Sequence, residues 1–294
     1  MSKRKNAFIP FLLSVLILLS CAAVFTGCAD KTNDNTDSSA AADVTENSSN
    51  ELSIYHFNAG KADACIISDG TNNVMIDTGE SSLSKEILSY FSNNDISSLD
   101  YLIITHFDKD HVGSAASVIE SIEVENVLQS NVPKDSEFYE NYLSALDSKN
   151  ITPTTVSGNY DFTLGEMSFT VNGPDTVYDS NESNNSSLIT SLIYGDTSFI
   201  FMGDAQNDRL KDFISINTNE YDFVKIPYHG NYQKKLDNLL ENINPKYAVV
   251  TCSEDEPAED KMTALLDELN IEYFLTVNGA VQVYSDGENI TIKQ

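Results

Sequence analysis

Two of the four histidines in this chain lie in one short segment, ITHFDKDHVG, which covers residues 104–113. The segment begins at the end of the apolar run YLIIT, residues 101–105, which is typical of a strand buried on both faces. Four of its side chains are of the metal-binding type: His106, Asp108, Asp110 and His111. On a helix this spacing would scatter them, but on a loop leaving a strand end they can converge. Imidazole with carboxylate suits a divalent ion such as zinc, manganese or iron, and the alternative is a solvated polar loop.

Three further strand ends carry side chains of the same type. VMIDTG places Asp77, and FIFMGDA places Asp204, just after an apolar strand, and VKIPYHG places His229 at the end of another. Because ligands gather where strands end at one edge of a sheet, we expect these residues to lie near the first group. His56, in the middle of the predicted strand IYHF, is instead interpreted as a core histidine or as one that supports the ligands.

The elements that must position these residues alternate along the chain from Leu52 onward. Short apolar strands such as ACIIS, YLIIT and FIFMG are separated by amphipathic helices, one of them around Leu236, Leu239, Leu240 and Ile243. Strand clusters with helices in both halves predict an α/β fold with two sheets packed face to face and helices outside. Residues 51–294 have a length that suits one large domain.

Residues 1–28 are predicted to be an export signal. A basic start at residues 3–5 precedes an apolar stretch over residues 7–19, which is too short for a comfortable membrane span. Two cysteines could end the signal, because each follows a small residue in a segment that resembles a bacterial lipoprotein cleavage box: Cys28 in FTGC and Cys21 in LLSC. We favour Cys28 because the chain turns polar directly after it. The alternatives are an ordinary signal peptide and an uncleaved anchor.

The polar residues 29–50 have almost nothing to bury and are predicted to form a disordered tether. Together with lipidation at Cys28, the tether predicts an exported protein held at the outer face of the cell membrane by an N-terminal lipid anchor. Of the cysteines, only Cys65 and Cys252 follow the predicted signal. Both lie in apolar, strand-like runs, which favours buried thiols over a disulfide.

The charge of the chain argues against tight, nonspecific binding of nucleic acid. The chain has 17 basic and 45 acidic residues, and residues 1–28 hold three of the basic and none of the acidic ones. The rest therefore carries a formal charge of −31, from 14 basic against 45 acidic residues, with Arg209 as its only arginine. Proteins that bind phosphate backbones normally present basic stripes.

Six motifs in this order resemble a known family: HFNAGKADACII, VMIDTG, THFDKDH, NNSSLI, FMGDA and KIPYHG. THFDKDH is similar to the His-x-His-x-Asp-His signature of the metallo-β-lactamase fold, with Asp108 in place of the second histidine. The whole set, over residues 52–292, resembles the hydrolase domain of ComEC-type competence proteins without their membrane channel. The resemblance implies a four-layer αββα sandwich and a hydrolase that uses one or two divalent ions, manganese or zinc.

The resemblance also implies roles for individual residues. His106 and Asp108 would hold one ion, Asp110 and His111 a second, and Asp204 would bridge the two. His229 would be a ligand or lie just behind the ligands, and Asp110 would position the attacking water or take its proton. Two further carboxylates would orient the ligands from behind: Asp63 and Asp77.

The chain departs from that family at two places. The opening strand usually ends in Val-Gly-Gln-Gly-Asp, where residues 59–63 read AGKAD. Many relatives also have a late histidine before a proline, where this chain has Glu256 before Pro257. Glu256 could supply an oxygen ligand instead, or the ligand could be lost.

Two classes of function follow from these observations. The first is a metal-dependent phosphodiesterase outside the cytoplasm, with DNA as the substrate that the resemblance suggests and a smaller phosphodiester as the one that the charge favours. Hydrolysis of a lactam is a weaker expectation than hydrolysis of a phosphodiester, because enzymes that cleave lactams usually have a histidine-rich zinc site. The second is a non-catalytic binding module whose site has degenerated. Five lysines near the motifs predict either a basic rim for a phosphate-bearing substrate or scattered surface charge: Lys61, Lys109, Lys225, Lys234 and Lys235.

Overall fold

The computed structural model describes residues 51–294. The predicted signal, the predicted tether and both candidate lipidation sites, Cys21 and Cys28, lie outside the described residues. Within residues 51–294, no helix has the length and apolar character needed to cross a membrane. Cys65 and Cys252 are buried free thiols, as predicted.

Two sheets form the centre of the described chain. The first sheet contains eight strands: β1 Leu52–His56, β2 Ala64–Ser68, β3 Asn73–Thr78, β4 Ser98–Ile104, β5 Glu123–Gln129, β6 Thr154–Thr155, β14 Val281–Ser285 and β15 Ile290–Lys293. The second contains seven: β7 Gly158–Leu164, β8 Met167–Gly173, β9 Ile189–Tyr194, β10 Thr197–Phe201, β11 Phe223–Lys225, β12 Tyr247–Val250 and β13 Glu272–Leu275. The strand orders are β15-β14-β1-β2-β3-β4-β5-β6 and β13-β12-β11-β10-β9-β8-β7.

Within residues 51–294, seven α-helices accompany the sheets: α1 Ser84–Asn93, α2 Lys109–Val112, α3 Ala115–Ser121, α4 Glu137–Lys149, α5 Asn207–Ile216, α6 Lys235–Ile243 and α7 Asp260–Glu268. The helix predicted around Leu236 is α6, and its four apolar residues are all buried. Short 3₁₀ turns lie at Ser81–Leu83, Ser180–Ser186, Pro227–Gly230 and Thr276–Asn278.

Three apolar cores separate four layers. One core contains residues of both sheets, among them Ile54, Ile103 and Phe199, and lies between the sheets. A second joins the first sheet to α1, α3 and α4, and a third joins the second sheet to α5, α6 and α7. Strand β4 faces two of these cores, because Ile103 belongs to the inter-sheet core and Ile104 to the helix-side core. The predicted αββα sandwich is confirmed.

Each sheet contains a parallel run whose strands end at the same edge. In the first sheet β3, β4 and β5 are parallel neighbours, and in the second sheet β10, β11 and β12 are. The carboxyl ends of parallel strands are where α/β proteins bind ligands. The segments that follow these six strands therefore determine the site.

Candidate metal centre

The predicted ligands meet where the two parallel runs end. Asp77 lies near the end of β3 and residues 105–112 follow β4, while Asp204 follows β10 and His229 follows β11. Four residues bring their ligand atoms within 4.8 Å of one another: Asp110, His111, Asp204 and His229. Three of them are buried, and Asp110 is half-buried at the opening.

Asp204 lies at the centre of this group. Its carboxylate is 3.3 Å from His111 Nε2 through Oδ1 and 3.2 Å from His229 Nε2 through Oδ2. His229 Nε2 is also 3.4 Å from Asp110 Oδ2. The Asp204 backbone N–H donates to Ser187 Oγ at 3.1 Å, which fixes the start of the loop. One carboxylate thus faces both imidazoles, the arrangement expected of a shared ligand.

Several of these atoms are buried without a hydrogen-bond partner within residues 51–294: Nε2 of His106, His111 and His229, and Oδ1 of Asp204. Buried polar atoms are nearly always paired in folded proteins, since an unpaired one costs about 1–3 kcal/mol. A divalent ion would satisfy the converging Nε2 atoms of His111 and His229 and the oxygen of Asp204 together. The residues present therefore fit a bound divalent cation.

The backbone around Asp108 differs from the predicted continuous loop. His106 to Asp108 is irregular, but Lys109–Val112 forms one helical turn, so the prediction was wrong for Asp110 and His111. The Asp108 carbonyl accepts hydrogen bonds from the backbone N–H groups of His111 and Val112, both at 3.0 Å, and this closes the turn. Because the helix is a single turn, two consecutive side chains can still face the same group.

His229 is held by an unusual backbone. Tyr228 and His229 both have φ of 53°, in the left-handed region, and Gly230 follows with φ of 75°. Such a conformation costs about 1–3 kcal/mol for each non-glycine residue and persists where the surroundings impose it. The turn thus aims the imidazole of His229 at Asp204.

Asp77 supports His111 from behind. Its carboxylate accepts hydrogen bonds from the Thr105 backbone N–H at 2.8 Å and from the Thr105 hydroxyl at 2.7 Å. His111 Nδ1 is 2.7 Å from Asp77 Oδ2, so in the neutral imidazole that a metal ion requires Nδ1 carries the proton and Nε2 is left to face Asp204. Asp77 itself is fully buried with φ of 54°. It sets both the tautomer and the orientation of His111.

The Asp77→Asn variant is expected to weaken Mn²⁺ binding about 10–100-fold while the protein stays folded. Asparagine keeps the size and tolerates positive φ, but its amide would donate to His111 Nδ1 and move the proton to Nε2. Calorimetric titration with Mn²⁺ measures the change. Asp100→Asn is the control, since Asp100 accepts the Asn73 backbone N–H at 2.7 Å at the far end of the same sheet. Equal affinity in wild type and Asp77→Asn would contradict this role.

His229 is supported by a second buried chain of contacts. Its Nδ1 is 3.0 Å from Thr251 Oγ1, and the Thr251 hydroxyl donates to Asp63 Oδ1 at 2.6 Å. Lys225 donates to the other oxygen of Asp63 and, at 3.2 Å, to the Gly203 carbonyl. Lys225 is therefore buried, so both predicted alternatives, a basic rim and scattered surface charge, were wrong for this residue.

His106 and Asp108 lie beside the group of four but outside it. The His106 ring centroid is 4.1 Å from that of His111, and its Nδ1 is 3.2 Å from Thr105 Oγ1. Asp108 is engaged elsewhere, because its Oδ1 accepts from Lys134 Nζ at 2.7 Å. The structure thus does not place Asp108 with the other predicted ligands.

Two further candidates are also away from the group. Glu256 is exposed and forms an ion pair with Lys61 at 3.1 Å. Its backbone N–H donates to Ser253 Oγ at 3.0 Å, in a turn from which the side chain extends into solvent. The structure does not bring it to the position of a ligand. His56 is buried in the core against the rings of Phe201 and Phe223, as the first of its two interpretations expects, and its Nε2 has no hydrogen-bond partner among the described residues.

Lys134 and Thr251 belong to the site but were not predicted. Both follow parallel strands, β5 and β12, at the edge where the ligands gather. Position directly after a strand is a sequence signal for Thr251, whereas the contact of Lys134 has no local signal because it depends on the path of the loop after β5.

The charges of the metal-free site shift its histidines towards the protonated form. Burial lowers the pKa of His229, but the carboxylates of Asp204 and Asp63 outweigh it and raise the pKa to about 10. Burial also lowers the pKa of His111, but the carboxylates of Asp204 and Asp77 outweigh burial and raise this pKa well above its usual value of 6.5. The same contacts hold the pKa of Asp204 well below its usual value against the effect of burial.

These shifts predict that the effect of metal on stability grows with pH. A raised histidine pKa stabilises the metal-free protein fully below about pH 6.5 and loses this contribution as the pH rises towards about 10. Metal binding requires neutral imidazoles and releases their protons. From pH 6.5 to 8.5, the rise in melting temperature caused by Mn²⁺ should increase. A rise that stays constant or falls over this interval would contradict the prediction.

Comparison with known protein families agrees with this geometry. The family model described as "Metallo-beta-lactamase superfamily" matches residues 58–253. The chain is similar to YhfI from Bacillus subtilis, a solved metallo-β-lactamase fold protein, with a TM-score of 0.55, 9% identity, and coverage of 83% of this chain and 100% of that one. At this identity the likeness concerns the fold alone.

Two curated proteins are similar in sequence. ComE operon protein 3 of Bacillus subtilis is 25% identical over 207 residues, which are 67% of this chain and 26% of that protein. Recombination protein 2 of Haemophilus influenzae is 22% identical over 216 residues, 72% of this chain and 25% of that protein. The chain therefore spans about a quarter of the length of the curated relatives that it matches.

Proposed function

Because this chain belongs to the metallo-β-lactamase superfamily, we propose that it is a metal-dependent hydrolase that cleaves phosphodiesters outside the cytoplasm. The observation that carries the proposal is the convergence of Asp110, His111, Asp204 and His229, whose Nε2 atoms and carboxylate oxygens lie 3.2–3.4 Å apart. A degenerate site in a binding module would have no reason to keep four ligand-type side chains converging on one point.

A divalent ion at this site would lower the pKa of a water molecule and neutralise charge that develops on the phosphoryl group. The protein's own contribution begins with Asp110, the ligand-group residue nearest solvent. Burial alone would raise its pKa, but His229 and His111 outweigh burial and lower the pKa to about 2. Asp110 is therefore ionised, and a carboxylate oxygen can accept a hydrogen bond from the attacking water and orient it towards phosphorus. The water adds to phosphorus and the P–O ester bond breaks, and the proton that the water loses passes through solvent to the departing oxygen, which leaves as an alcohol.

The chemistry of the ligands favours a phosphodiester over a lactam. Two of the four grouped residues are carboxylates, which suit manganese as well as zinc and lessen the histidine character of the site. The names of the curated relatives, which refer to recombination and to the ComE operon, are consistent with DNA as the substrate.

The charge of this chain supports a smaller phosphodiester, or a short end of DNA, over a long duplex. Arg209 is buried and donates to the carbonyls of Ser187 and Asn172, so it supports the site and offers nothing to a phosphate backbone. The formal net charge of −28 opposes a polyanion as well.

The test is metal analysis of the full chain purified in detergent, combined with turnover of bis-p-nitrophenyl phosphate with added Mn²⁺ or Zn²⁺. His111→Ala should lose both ion and turnover. An ion with no turnover of any phosphodiester would contradict the proposed reaction. Neither ion nor turnover would favour the binding module.

The export and lipid anchor belong to the same proposal and are supported by the pattern of residues 1–50. Labelled palmitate should be incorporated into the wild-type chain and not into Cys28→Ser. Incorporation that is lost only in Cys21→Ser would move the anchor to the earlier cysteine. No incorporation into the wild type would contradict lipidation.

A further inference from the structure

Lys134 lies at the edge of the candidate metal centre and forms a partly buried ion pair with Asp108, one of the predicted ligands. Its Nζ is 2.7 Å from Asp108 Oδ1 and 3.1 Å from Ser183 Oγ. Ser183 donates to the same Asp108 oxygen at 2.7 Å. The Lys134 and Asp108 side chains are 30% and 28% exposed, so the pair is only partly screened by solvent. The ammonium thus holds the carboxylate that a second ion beside His106 would need.

The two possible ion positions are not equivalent. The first is preformed, because the ligand atoms of Asp110, His111, Asp204 and His229 lie together. The second would use His106, whose Nε2 is buried without a hydrogen-bond partner among the described residues, and Asp108, whose Oδ1 is taken by two donors. A second ion must therefore share the Asp108 carboxylate with the positive charge of Lys134, which already occupies Oδ1.

The charges lead to the same conclusion. Three carboxylates face the two positions, from Asp108, Asp110 and Asp204, and the histidines are neutral when they bind a metal. Lys134 cancels one of these charges, so the remaining two balance a single divalent ion. Of the other buried carboxylates, Asp63 is paired with Lys225, and Asp77 is turned away from the ion positions, because it accepts hydrogen bonds from Thr105 and faces Nδ1 of His111.

We infer that Lys134 is a built-in competitor of the second divalent ion, so that this chain binds one ion tightly and a second one much more weakly. The inference rests on the proposed function, because it assumes that the centre takes a divalent cation. It assigns to Lys134 a fixed positive charge at the place where a second ion would otherwise lie. The weak second position then fills only when Lys134 leaves Asp108.

The test is titration of the metal-free full chain in detergent with Mn²⁺, with free Mn²⁺ measured by its electron paramagnetic resonance signal. Wild type should bind one Mn²⁺ per chain, with the second at least about tenfold weaker, a difference that requires only ~1.4 kcal/mol. Lys134→Met, which keeps the apolar stem and removes the charge, should tighten the second ion at least about tenfold. The coupled spectrum of a two-manganese centre should then appear at lower Mn²⁺.

Lys109→Met is the matched control. Lys109 adjoins Asp108 in sequence but forms its ion pair with Glu80 at 2.8 Å and is exposed. Its loss removes the same charge from the chain without freeing Asp108, so binding of both ions should match wild type. Lys134→Arg keeps the charge and should leave the second ion weak.

Two equal ions in the wild type would overturn the inference and leave the proposed function intact. An unchanged isotherm in Lys134→Met, or the same gain in Lys109→Met, would also overturn it. No bound ion in any of these proteins would remove the inference together with the metal-dependent function. Melting temperatures of the metal-free variants establish that each one is folded.

Discussion

The Asp204→Asn variant is expected to lower both Mn²⁺ affinity and phosphodiester turnover by more than about 100-fold. Loss of a supporting residue behind a ligand typically costs 10–100-fold, and Asp204 is itself placed as a shared ligand. Its carboxylate faces His111 at 3.3 Å and His229 at 3.2 Å. An amide of the same shape offers one oxygen, carries no charge and turns a donor towards one imidazole. Calorimetric titration and bis-p-nitrophenyl phosphate turnover measure the two losses.

Asp222→Asn is the matched control for that change. Asp222 also accepts several hydrogen bonds, from the Ser198 backbone N–H at 3.1 Å and from Lys246 at 2.8 Å. It precedes β11, at the opposite end of that strand from His229. Its substitution should leave metal affinity and turnover at wild-type values. A folded Asp204→Asn protein that binds Mn²⁺ as tightly as wild type would exclude Asp204 as a ligand.

The sequence predicts the place of the site because strand ends determine it. The apolar run before His106 predicts a strand that is buried on both faces. The residues that follow such strands lie together at the edge of the sheet. Asp77 lies near the end of β3, and Asp204 and His229 follow β10 and β11, so the parallel pairing of β3 with β4 and of β10 with β11 places them at the sheet edges that carry the centre. Hydrophobic periodicity indicates these strand ends, whereas the four-layer arrangement is implied by the family resemblance and the strand order comes from the structure.

The roles of individual side chains depend on contacts that are distant in sequence. Asp108 has the right type and spacing for a ligand, yet Lys134, 26 residues later, reaches it. Glu256 lies close in sequence to the site loop after β12, but a local turn gives it Lys61 as its partner. No local sequence pattern predicts these two ion pairs, because they depend on the direction in which a loop leaves its strand and on which charged side chain lies nearest in the fold.

Lys225→Met alone is expected to lower the free energy of unfolding of the metal-free protein by about 3–5 kcal/mol. Lys225 and Asp63 form a buried ion pair, with side chains 5% and 8% exposed. Removal of one partner leaves an uncompensated buried charge, whereas removal of both leaves none. Asp63→Asn should therefore also lower the free energy of unfolding by several kcal/mol. The double variant should lower it by much less than the sum of the two single losses. Urea denaturation of the four proteins measures the coupling.

Lys246→Met supplies the comparison at the surface. Its ion pair with Asp222 spans 2.8 Å, but the Lys246 side chain is 72% exposed, so the loss should not exceed about 1 kcal/mol. If Lys225→Met lowers the free energy of unfolding by no more than this, burial of the pair does not stabilise the fold.

The double variant of Lys225 and Asp63 also separates two roles of the pair, because Asp63 contacts His229 through Thr251. A double variant that folds well but binds Mn²⁺ weakly would mean that the pair orients His229, and one that binds normally would mean that it serves the fold alone.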